Sequence, residues 1–503
     1  MRLRHCLVLA LLVSVSTLVA PARTFTVAVY NVENLFDADG VSLFDDYKPE
    51  LYGPQHLARK LENISQVLQR FNGGDGPDIV LLNEIEVDQT PESTVDDIDA
   101  FLKKHARTRA KTLLTAKGRL TPELAGLPAH VWLLKQLRDD RLSPYRAVVG
   151  TWRPDPTDRI VAQTNVILTR FPVLEHRTHH TDGARGILEV VLEIDGHRLH
   201  VFNNHWKSGA SDAETEPARI GNAQVLRARL DEILAADPHA DVIIGGDFNS
   251  QYNQKQRFPQ MPRTAMNDTL RSQGDELALQ LPGGPDLYNL WFELPGDRRG
   301  SDIFRDEWGT LMQMLVTRGL YDFHGIQYLD NTFAVGAFPG LNADEQSRRP
   351  VRWQFAEGGA GFSDHFPVFA MFRTVEDGRR DEWFVPVNAS RTATGPAEAV
   401  PAPLPLESAT VVAALDRETE FRTAANTGKL FRVTGTVSSV KPFRLAVQGS
   451  TGGEITLWIR DPAVRNPFFA RHNVGDRLEV AGELSQYRGE WQIVIPDRAV
   501  PAR

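Results

Sequence analysis

Between Thr24 and about Val375, short apolar runs of the length of one β-strand alternate with longer amphipathic segments. The apolar runs predict strands at residues 25–30, 79–82, 166–168, 188–194, 199–202, 242–244 and 366–371. A helical spacing of apolar residues predicts helices at 57–71 and 218–235. Strands that alternate with helices are typical of a layered α/β domain, because the helices cover the apolar faces of the sheets.

The chain has 503 residues, which is long enough for two or more domains. Its composition, 42% hydrophobic and 24% charged, is that of a soluble globular protein. We predict a layered domain at residues 23–375, a linker rich in Pro and Ala at 376–406, and a smaller domain at 407–503. The smaller domain consists of short strand patterns separated by turn residues, with almost no helix signal. An all-β module is therefore expected there.

The first 22 residues are predicted to be a signal peptide. Arg2 and Arg4 precede an apolar run that ends in the small residues Ala20 and Ala22 around a proline. A membrane anchor is the alternative, although the run is short for a spanning helix. The single cysteine, Cys6, lies inside this segment, so the mature chain would carry no thiol and would depend on core burial for stability. We therefore expect a secreted or periplasmic protein with no stable membrane insertion after cleavage.

Polar side chains follow several of the predicted strands where each apolar run ends. After the run at 242–244 come two glycines and then Asp247 and Asn249, whose side chains share one face of an extended backbone. Asn31, Glu84 and His205 follow other apolar runs, and Asp364 and His365 come directly before the run at 366–371. Carboxylates that converge at one edge repel each other and lose hydration unless protons or a cation compensate. Oxygen donors without cysteine favour a hard ion, Mg²⁺ first, with Mn²⁺ or Ca²⁺ as alternatives.

Five sequence motifs lie in order along the chain: NVENLF at 31–36, the strand-end Glu84, NNHWKS at 203–208, GGDFNS at 245–250 and SDHFPV at 363–368. In this order, the motifs resemble the endonuclease/exonuclease/phosphatase family that is related to deoxyribonuclease I. Each is weak singly, but five in order over roughly residues 25–372 are specific. The resemblance implies a four-layered α/β sandwich, in which two mixed β-sheets are flanked by helices. It also implies cleavage of phosphoester bonds with a divalent metal.

The resemblance also implies roles for individual residues. Asn31 and Glu84 would hold the metal, helped by Asp364. Asp247 would orient or deprotonate the attacking water, and Asn249 would contact the scissile phosphate. These roles agree with elementary chemistry, because a phosphodiester is an anion that repels hydroxide unless a metal neutralises its charge and acidifies water.

Two histidines complete the implied catalytic set. His205 and His365 would stabilise the transition state at phosphorus and move protons, since an imidazole titrates near neutrality. Asp247 and His365 remain equal candidates for the general base. Members of the family usually carry an Asp in a W-x-x-L-D-Q strand that orients the catalytic histidine, but Met312 stands at that position here. His365 therefore needs another partner or is less well tuned.

Three basic residues are candidates for substrate contacts. Lys207 stands where the related motif NHWPSR has proline, so its place beside His205 puts a new cation near the substrate. Arg170 and Arg185 resemble family positions, although ion pairing that holds the structure is an alternative for both. Positioned cations of this kind stabilise negative charge that grows in the transition state.

The C-terminal domain resembles an OB-fold. Its five strand patterns, at 429–437, 444–447, 454–459, 477–484 and 490–496, are joined by short turns. Such barrels commonly bind single-stranded nucleic acid by stacking bases on aromatic side chains in a basic groove. The candidate contacts are Trp458, Tyr487, Arg488 and Trp491. From residue 429 to 503 there are eleven Lys and Arg against seven Asp and Glu, while the whole chain has a net charge of −9.

From these features we expect an exported, metal-dependent phosphodiesterase that hydrolyses nucleic acid, DNA before RNA. A phosphomonoesterase or a lipid phosphodiesterase of the sphingomyelinase type on the same scaffold is the main alternative, since a fold does not fix a substrate. A degenerate nucleic-acid-binding protein is a third hypothesis, because Met312 could mark lost catalysis.

Overall fold

The computed structural model describes residues 23–90, 95, 97–116, 120–142, 144–152, 161–281, 283–355, 358–375, 409–415, 420–423, 426–449, 453–459, 462–487 and 490–495. The signal peptide at 1–22 and the linker at 376–406 lie outside these residues, and both remain predictions. Within the described residues, no helix is both long and apolar enough to cross a membrane.

The first domain is built from strands and helices that alternate along the chain. Its strands are β1 (Thr24–Leu35), β2 (Ile79–Glu86), β3 (Arg146–Val149), β4 (Gln163–Thr169), β5 (Val173–His179), β6 (Ile187–Ile194), β7 (His197–His205), β8 (Val242–Asp247), β9 (Leu287–Asn289), β10 (Asp302–Phe304), β11 (Glu307–Gly309), β12 (Met312–Thr317), β13 (Ile326–Tyr328), β14 (Ala334–Val335) and β15 (Val368–Thr374). Its helices are α1 (Pro54–Leu68), α2 (Ile98–Lys104), α3 (Ala110–Leu114), α4 (Pro122–Ala125), α5 (Ala129–Asp139), α6 (Glu216–Ala236), α7 (Gln254–Arg257) and α8 (Glu276–Gln280). Single helical turns of the 3₁₀ or π type lie at Asp45–Tyr47, Asn72–Gly74, Ala265–Thr269, Leu290–Glu293, Gly296–Arg298 and Arg318–Tyr321.

Thirteen of these strands form two mixed sheets, and β10 and β11 pair with each other as a separate hairpin. The first has the order β13-β15-β1-β2-β4-β3, with β14 paired to β15, and the second has the order β5-β6-β7-β8-β12-β9. In each sheet one central pair is parallel, β1 with β2 and β7 with β8, and the pairs around it are antiparallel. The carboxyl ends of each parallel pair therefore lie at the same edge of their sheet.

The two sheets pack face to face, and helices cover their outer faces. Val29 and Leu81 of the first sheet share an apolar core with Ile243 and Met314 of the second. A second core lies under α1 and α5, and a third lies under α6. These layers confirm the predicted four-layered α/β sandwich, because burial of both faces of each sheet leaves one helical layer on either side.

Helix α1 illustrates how the sequence builds these layers. It begins at Pro54, a residue favoured in the first turn because that turn needs no donor from it. Leu57, Leu61, Ile64 and Leu68 recur three or four residues apart and are all buried against the first sheet.

An ionic cluster holds α6 on the second sheet. Glu189 on β6 is 2% exposed, and its carboxylate accepts hydrogen bonds from Arg229 of α6 at 2.9 and 3.0 Å. His179 and His200 contact the same carboxylate at 2.7 and 3.2 Å. A buried carboxylate with this many charged and polar partners is one of the few kinds that a folded protein tolerates.

The C-terminal domain is a small closed barrel. Its strands are β16 (Thr410–Val411), β17 (Leu430–Val440), β18 (Phe443–Val447), β19 (Glu454–Ile459), β20 (Arg477–Tyr487) and β21 (Glu490–Ile495), with a 3₁₀ turn at Val412–Ala414. They pair in the order β16-β17-β18-β19-β21-β20, and β20 pairs again with β17. That last pairing closes a five-stranded barrel and confirms the OB-like prediction.

The expectation of almost no helix in the barrel is wrong for one segment. Helix α9 (Pro462–Ala470) connects β19 to β20 and contains Pro467, which disfavours helix locally. Phe469 stacks on Phe443 of the barrel with ring centroids 4.3 Å apart, and Phe468 belongs to the barrel core. Packing of these two rings overrides the weak local propensity.

One arginine joins the two domains. The side chain of Arg349, in the segment that leads to β15, is 10% exposed and forms an ion pair of 2.7 Å with Glu483 on β20. Its other terminal nitrogen lies 2.5 Å from Asp306 of the first domain. The barrel is thus attached next to the segment that carries the 363–368 motif.

Candidate active site

Four polar side chains from the two parallel strand pairs meet at the carboxyl-end edges of the facing sheets. Asn31 lies on β1 and Glu84 on β2, while His205 and Asp247 end β7 and β8 as register partners. Because the sheets pack face to face with these ends on the same side, residues far apart in sequence come into contact. The sequence prediction of a polar cluster at the strand ends therefore corresponds to one site.

The amide of Asn31 bridges the two central carboxylates. Its Nδ2 donates to Glu84 Oε1 at 3.0 Å and to Asp247 Oδ2 at 2.9 Å. Its Oδ1 accepts from the backbone N–H of Glu33 at 2.9 Å. Asn31 therefore sets the distance between the two acids, whether or not it also contacts a cation.

The turn after β8 fixes Asp247 and Asn249. The backbone N–H of Asp247 donates to the side chain of Asn83, and Asp247 Oδ1 accepts from the backbone N–H of Asn249, both at 2.9 Å. Asn249 has a left-handed φ of 45°, and its side chain donates to the carbonyl of Trp206 at 3.2 Å. At Gly246, φ is 141° and a Cβ would lie 2.0 Å from a backbone oxygen, so this position requires glycine.

His205 is a buried, neutral imidazole beside both acids. Its Nε2 lies 3.9 Å from Glu84 Oε1 and 3.8 Å from Asp247 Oδ2. Burial, together with the nearby charges of Arg185 and His365, lowers the pKa of His205 well below its ordinary value. Its Nδ1 is buried and has no hydrogen-bond partner within the described residues.

The surroundings of His365 shift its pKa in the opposite direction from that of His205. Its Nδ1 contacts Asp364 Oδ1 at 2.8 Å, and its Nε2 lies 3.6 Å from Asp247 Oδ2. Burial alone would lower the pKa of His365, but Asp364, Asp247 and Asp302 together raise it well above its ordinary value. The imidazole is therefore held as a cation that faces the reacting edge.

Two acids lie beside His365 in place of the one that Met312 replaces. Met312 is fully buried and is the cross-strand partner of Asp247, so it gives His365 no acid. Asp364 takes the Nδ1 contact instead, and buried Asp302 bridges to His365 through the backbone and adds a second negative charge nearby. Asp302 was missed in the sequence because it stands in no motif.

Two cations compensate the acids on the first-sheet side. Arg352 lies 3.1 Å from Glu33 and 3.5 Å from Asp364. Lys60 of α1 is completely buried, and its Nζ donates to the carbonyls of Glu33 and Phe362 at 2.7 and 3.1 Å. Burial and neighbouring acids raise the pKa of Glu33 to about 7, whereas burial lowers the pKa of Lys60 to about 8.

The candidate substrate contacts divide into two groups. Arg185 is close enough to Glu84 and Asp247 for both acids to act on its pKa, and Lys207 lies with it on the wall of one cavity. Arg170 is not in the site. It lies at the opposite end of β2, paired with Asp78 at 3.3 Å, which corresponds to the structural alternative.

The barrel candidates also differ from one another. Trp458 is 41% exposed, and the guanidinium of Arg465 lies 4.5 Å from its ring centroid. Trp491 packs partly into the barrel core and offers less free surface. Tyr487 ends β20, but its side chain and all of Arg488 lie outside the described residues.

The central donor set fits a divalent cation. One ligand atom each from Glu84, His205 and Asp247 lies within 4.8 Å of the others. Carboxylate oxygens are ordinary ligands of Mg²⁺ and Mn²⁺, whereas a neutral imidazole is a softer donor that suits transition metals. Burial, followed by the charge of Asp364, raises the pKa of Glu84, so a cation would relieve a real electrostatic cost.

Clustered carboxylates and imidazoles at one edge of a two-sheet α/β sandwich are suited to hold a cation and to move protons. The model of the Endonuclease/Exonuclease/phosphatase family matches residues 26–108 and 166–374, which is more than half of the chain. The chain belongs to this family, whose members are hydrolytic. No curated protein matches the chain significantly.

Solved structures similar to this chain include a truncated TDP2 from Caenorhabditis elegans, with 16% identity, 69% of this chain and 97% of that chain covered, and a TM-score of 0.36. A Danio rerio TDP2 complexed with single-strand DNA product has 14% identity, covers 69% and 98%, and has a TM-score of 0.37. A mannosyl-6-phosphatase from Bacteroides thetaiotaomicron has 14% identity, covers 69% and 99%, and has a TM-score of 0.35. The family assignment rests on the family match.

Proposed function

We propose that this chain is an exported phosphodiesterase that hydrolyses nucleic acid, most of all DNA, with Mg²⁺ as its metal. The observation that carries the proposal is the cluster of Glu84, His205 and Asp247 within 4.8 Å, with the cationic His365 beside it. A site of this kind combines a cation-binding acid pair with a proton donor. Hydrolysis of a phosphodiester needs both.

The residues divide the work of the reaction. A bound divalent cation would neutralise charge on the phosphate and acidify water. Asp247 orients the attacking water, because its carboxylate is fixed by Asn31 and by the backbone of Asn249. His365, 3.6 Å from that carboxylate, stabilises negative charge on the phosphate and supplies a proton to the leaving oxygen.

The barrel supports a polymeric nucleic acid as the substrate. Trp458 and Arg465 line a groove of about 420 Å³ on the barrel surface together with Lys441 and Phe443. An exposed indole next to cations is suited to a stacked base and its phosphate. The net positive charge of this domain, in a chain of net charge −9, favours a polyanion.

A lipid phosphodiesterase is the second candidate, and one observation favours it. Leu43 and Phe44, 41% and 36% exposed, lie on a loop that lines a cavity next to the site. Exposed apolar side chains at the mouth of a site could also contact a membrane surface.

The test compares four substrates under one set of conditions. The mature chain is incubated with plasmid DNA, RNA, sphingomyelin vesicles and p-nitrophenyl phosphate, with Mg²⁺ or with EDTA. We expect cleavage of DNA that is lost in EDTA and in Asp247→Asn, while Asp231→Asn, an exposed acid on α6, keeps the activity. Hydrolysis of sphingomyelin alone would contradict the proposal, and no activity on any substrate would favour a binding protein.

A further inference from the structure

A cavity of about 420 Å³ adjoins the candidate active site. Its wall includes the aromatic side chains of Phe44 and Trp152 and the cations Arg185 and Lys207. Its volume lies within the range of about 300–1,000 Å³ that is usual for small-molecule sites. Neither aromatic residue belongs to a motif that the catalytic chemistry uses.

Both aromatic rings of the wall are exposed, and one of them is held in place. Trp152 is 40% exposed and Phe44 is 36% exposed, and exposed rings in a concave site are usual contacts of a small molecule. Phe44 stacks on the buried Phe36 with centroids 5.3 Å apart and planes 26° apart. A ring fixed in this way presents a surface without paying much entropy when a ligand binds.

Two cations of the cavity wall, Lys207 and Arg185, are also close to residues of the candidate active site. Lys207 follows His205 by two residues, and Arg185 is electrostatically coupled to Glu84 and Asp247. A phosphate at the site would therefore lie between the acid cluster and these two cations. The group that the phosphate carries on that side would extend into the cavity.

The rest of the wall mixes polar groups with apolar side chains such as Leu43 and Val161. Thr151, Thr181 and His180 line the cavity together with the aromatic residues. A nucleobase has two flat faces and a hydrogen-bonding edge, and so it matches both parts of the wall. The flat rings and the two cations of the wall favour a base that carries a phosphate over an acyl chain.

We propose that this cavity is a base-binding subsite, in which a nucleobase next to the scissile phosphate stacks on Trp152 and Phe44 while Arg185 and Lys207 contact the phosphate. The inference rests on the proposed function, because it names the part of the nucleic acid that the same site recognises. A base must leave the duplex to enter the cavity, so this subsite makes the enzyme selective for single-stranded or frayed ends.

The first test measures steady-state kinetics on the dinucleotide TpT and on its two analogues that each lack one base. We expect Trp152→Ala to raise KM for TpT about 5- to 100-fold with little change in kcat, the range that loss of one base–aromatic stack predicts. For one of the two base-deleted analogues, the KM of the wild type should already exceed its KM for TpT by the same factor, and Trp152→Ala should raise that KM no further. Trp152→Phe should keep most of the wild-type KM.

The control is Leu174→Ala, which removes a 39% exposed apolar side chain on β5 outside the cavity and should leave KM unchanged. An unchanged KM in Trp152→Ala, or an equal further rise with both analogues, would overturn the proposal. So would a cavity occupied by lipid, seen as loss of sphingomyelin hydrolysis in Trp152→Ala without an effect on TpT.

A second measurement separates this inference from the proposed function. Equilibrium dialysis of TpT with Asp247→Asn in Mg²⁺ measures binding without turnover. Binding that weakens at least fivefold when Trp152→Ala is added supports the subsite even if the enzyme cleaves no nucleic acid. Equal binding by the two variants, or no binding by either, overturns it.

Discussion

The ion pair between Arg349 and Glu483 should hold the barrel on the catalytic domain. We predict that Glu483→Gln lowers the free energy of unfolding of the full chain by about 1–2 kcal/mol. The two charges are 2.7 Å apart, with side chains only 10% and 20% exposed. The substitution keeps the shape of the side chain and leaves the contact of Arg349 with Asp306 in place.

The magnitude follows from the geometry. At 2.7 Å and an effective dielectric constant of about 20, the Coulomb attraction is about 6 kcal/mol. Most of this is offset by the cost of removing two ions from water, and Asp306 continues to satisfy the arginine. A net coupling of about 1–2 kcal/mol remains, within the range found for contacting residues.

The assay is a double-mutant cycle of Glu483→Gln and Arg349→Gln, measured by urea unfolding. Glu479→Gln is the matched control, because Glu479 lies on the same strand, is 55% exposed and pairs with Arg432 of the same domain. We expect less than about 0.5 kcal/mol from the control, as for most exposed pairs. A coupling energy near zero, or equal effects of Glu483→Gln and the control, would refute the reasoning.

Three further predictions concern the scaffold and the site. Gly246→Ala should lower the free energy of unfolding in urea by about 3 kcal/mol or more, because its Cβ would lie 2.0 Å from a backbone oxygen of Asn204. The control Gly221→Ala, in open space on α6, should raise it by about 0.5–1 kcal/mol. Burial alone would raise the pKa of Glu189, but two histidines and one arginine lower it below its unfolded value of about 4.3. The stabilisation by Glu189 is therefore present above that pH and is lost as the pH falls through the folded pKa. In a profile of Tm against pH, Glu189→Gln should flatten this loss of stability in acid. Asp302→Asn keeps an acceptor for the backbone of the β11–β12 connection but removes a charge near the imidazole of His365. If His365 is the proton donor, kcat should fall about 10-fold with KM unchanged, and an unchanged kcat would show that Asp302 is only structural.

Much of the fold and of the site could be predicted because their signals are local. Strands β1, β2, β7 and β8 are apolar runs that stop at a polar residue, and that pattern predicted both the layers and the cluster of Asn31, Glu84, His205 and Asp247. Each of the two parallel pairs is joined by a crossover that contains a helix, so the carboxyl ends of its strands lie at one edge of the sheet.

What the sequence did not predict depends on contacts between distant loops. Lys60 is in helix α1, Asp302 begins the short strand β10 and Arg352 is in a loop, and only the folded chain brings them to the site. Arg170 could not be separated from Arg185 by pattern, since both are arginines near strands. Arg170 lies next to Asp78 at the start of β2 and Arg185 lies near Glu84 and Asp247, so the first is a structural residue and the second a candidate substrate contact.

The exposed rings of Phe44 and Trp152 were missed for a related reason. Aromatic residues in the sequence are expected in a core, and exposure is visible only in the fold. The same limit applies to α9, where packing of Phe468 and Phe469 on the barrel outweighs a proline inside the helix.

The central claim is that the strand-end cluster is a divalent-cation centre for phosphodiester hydrolysis. The most direct measurement is the single-turnover rate of DNA cleavage against Mg²⁺ concentration, for the wild type and for Glu84→Gln. We predict no cleavage in EDTA, a saturable rise with Mg²⁺ in the wild type, and a half-saturating Mg²⁺ concentration at least about 10-fold higher in Glu84→Gln, as the loss of one carboxylate ligand implies. Full cleavage in EDTA, or the same Mg²⁺ dependence in both proteins, would contradict the claim.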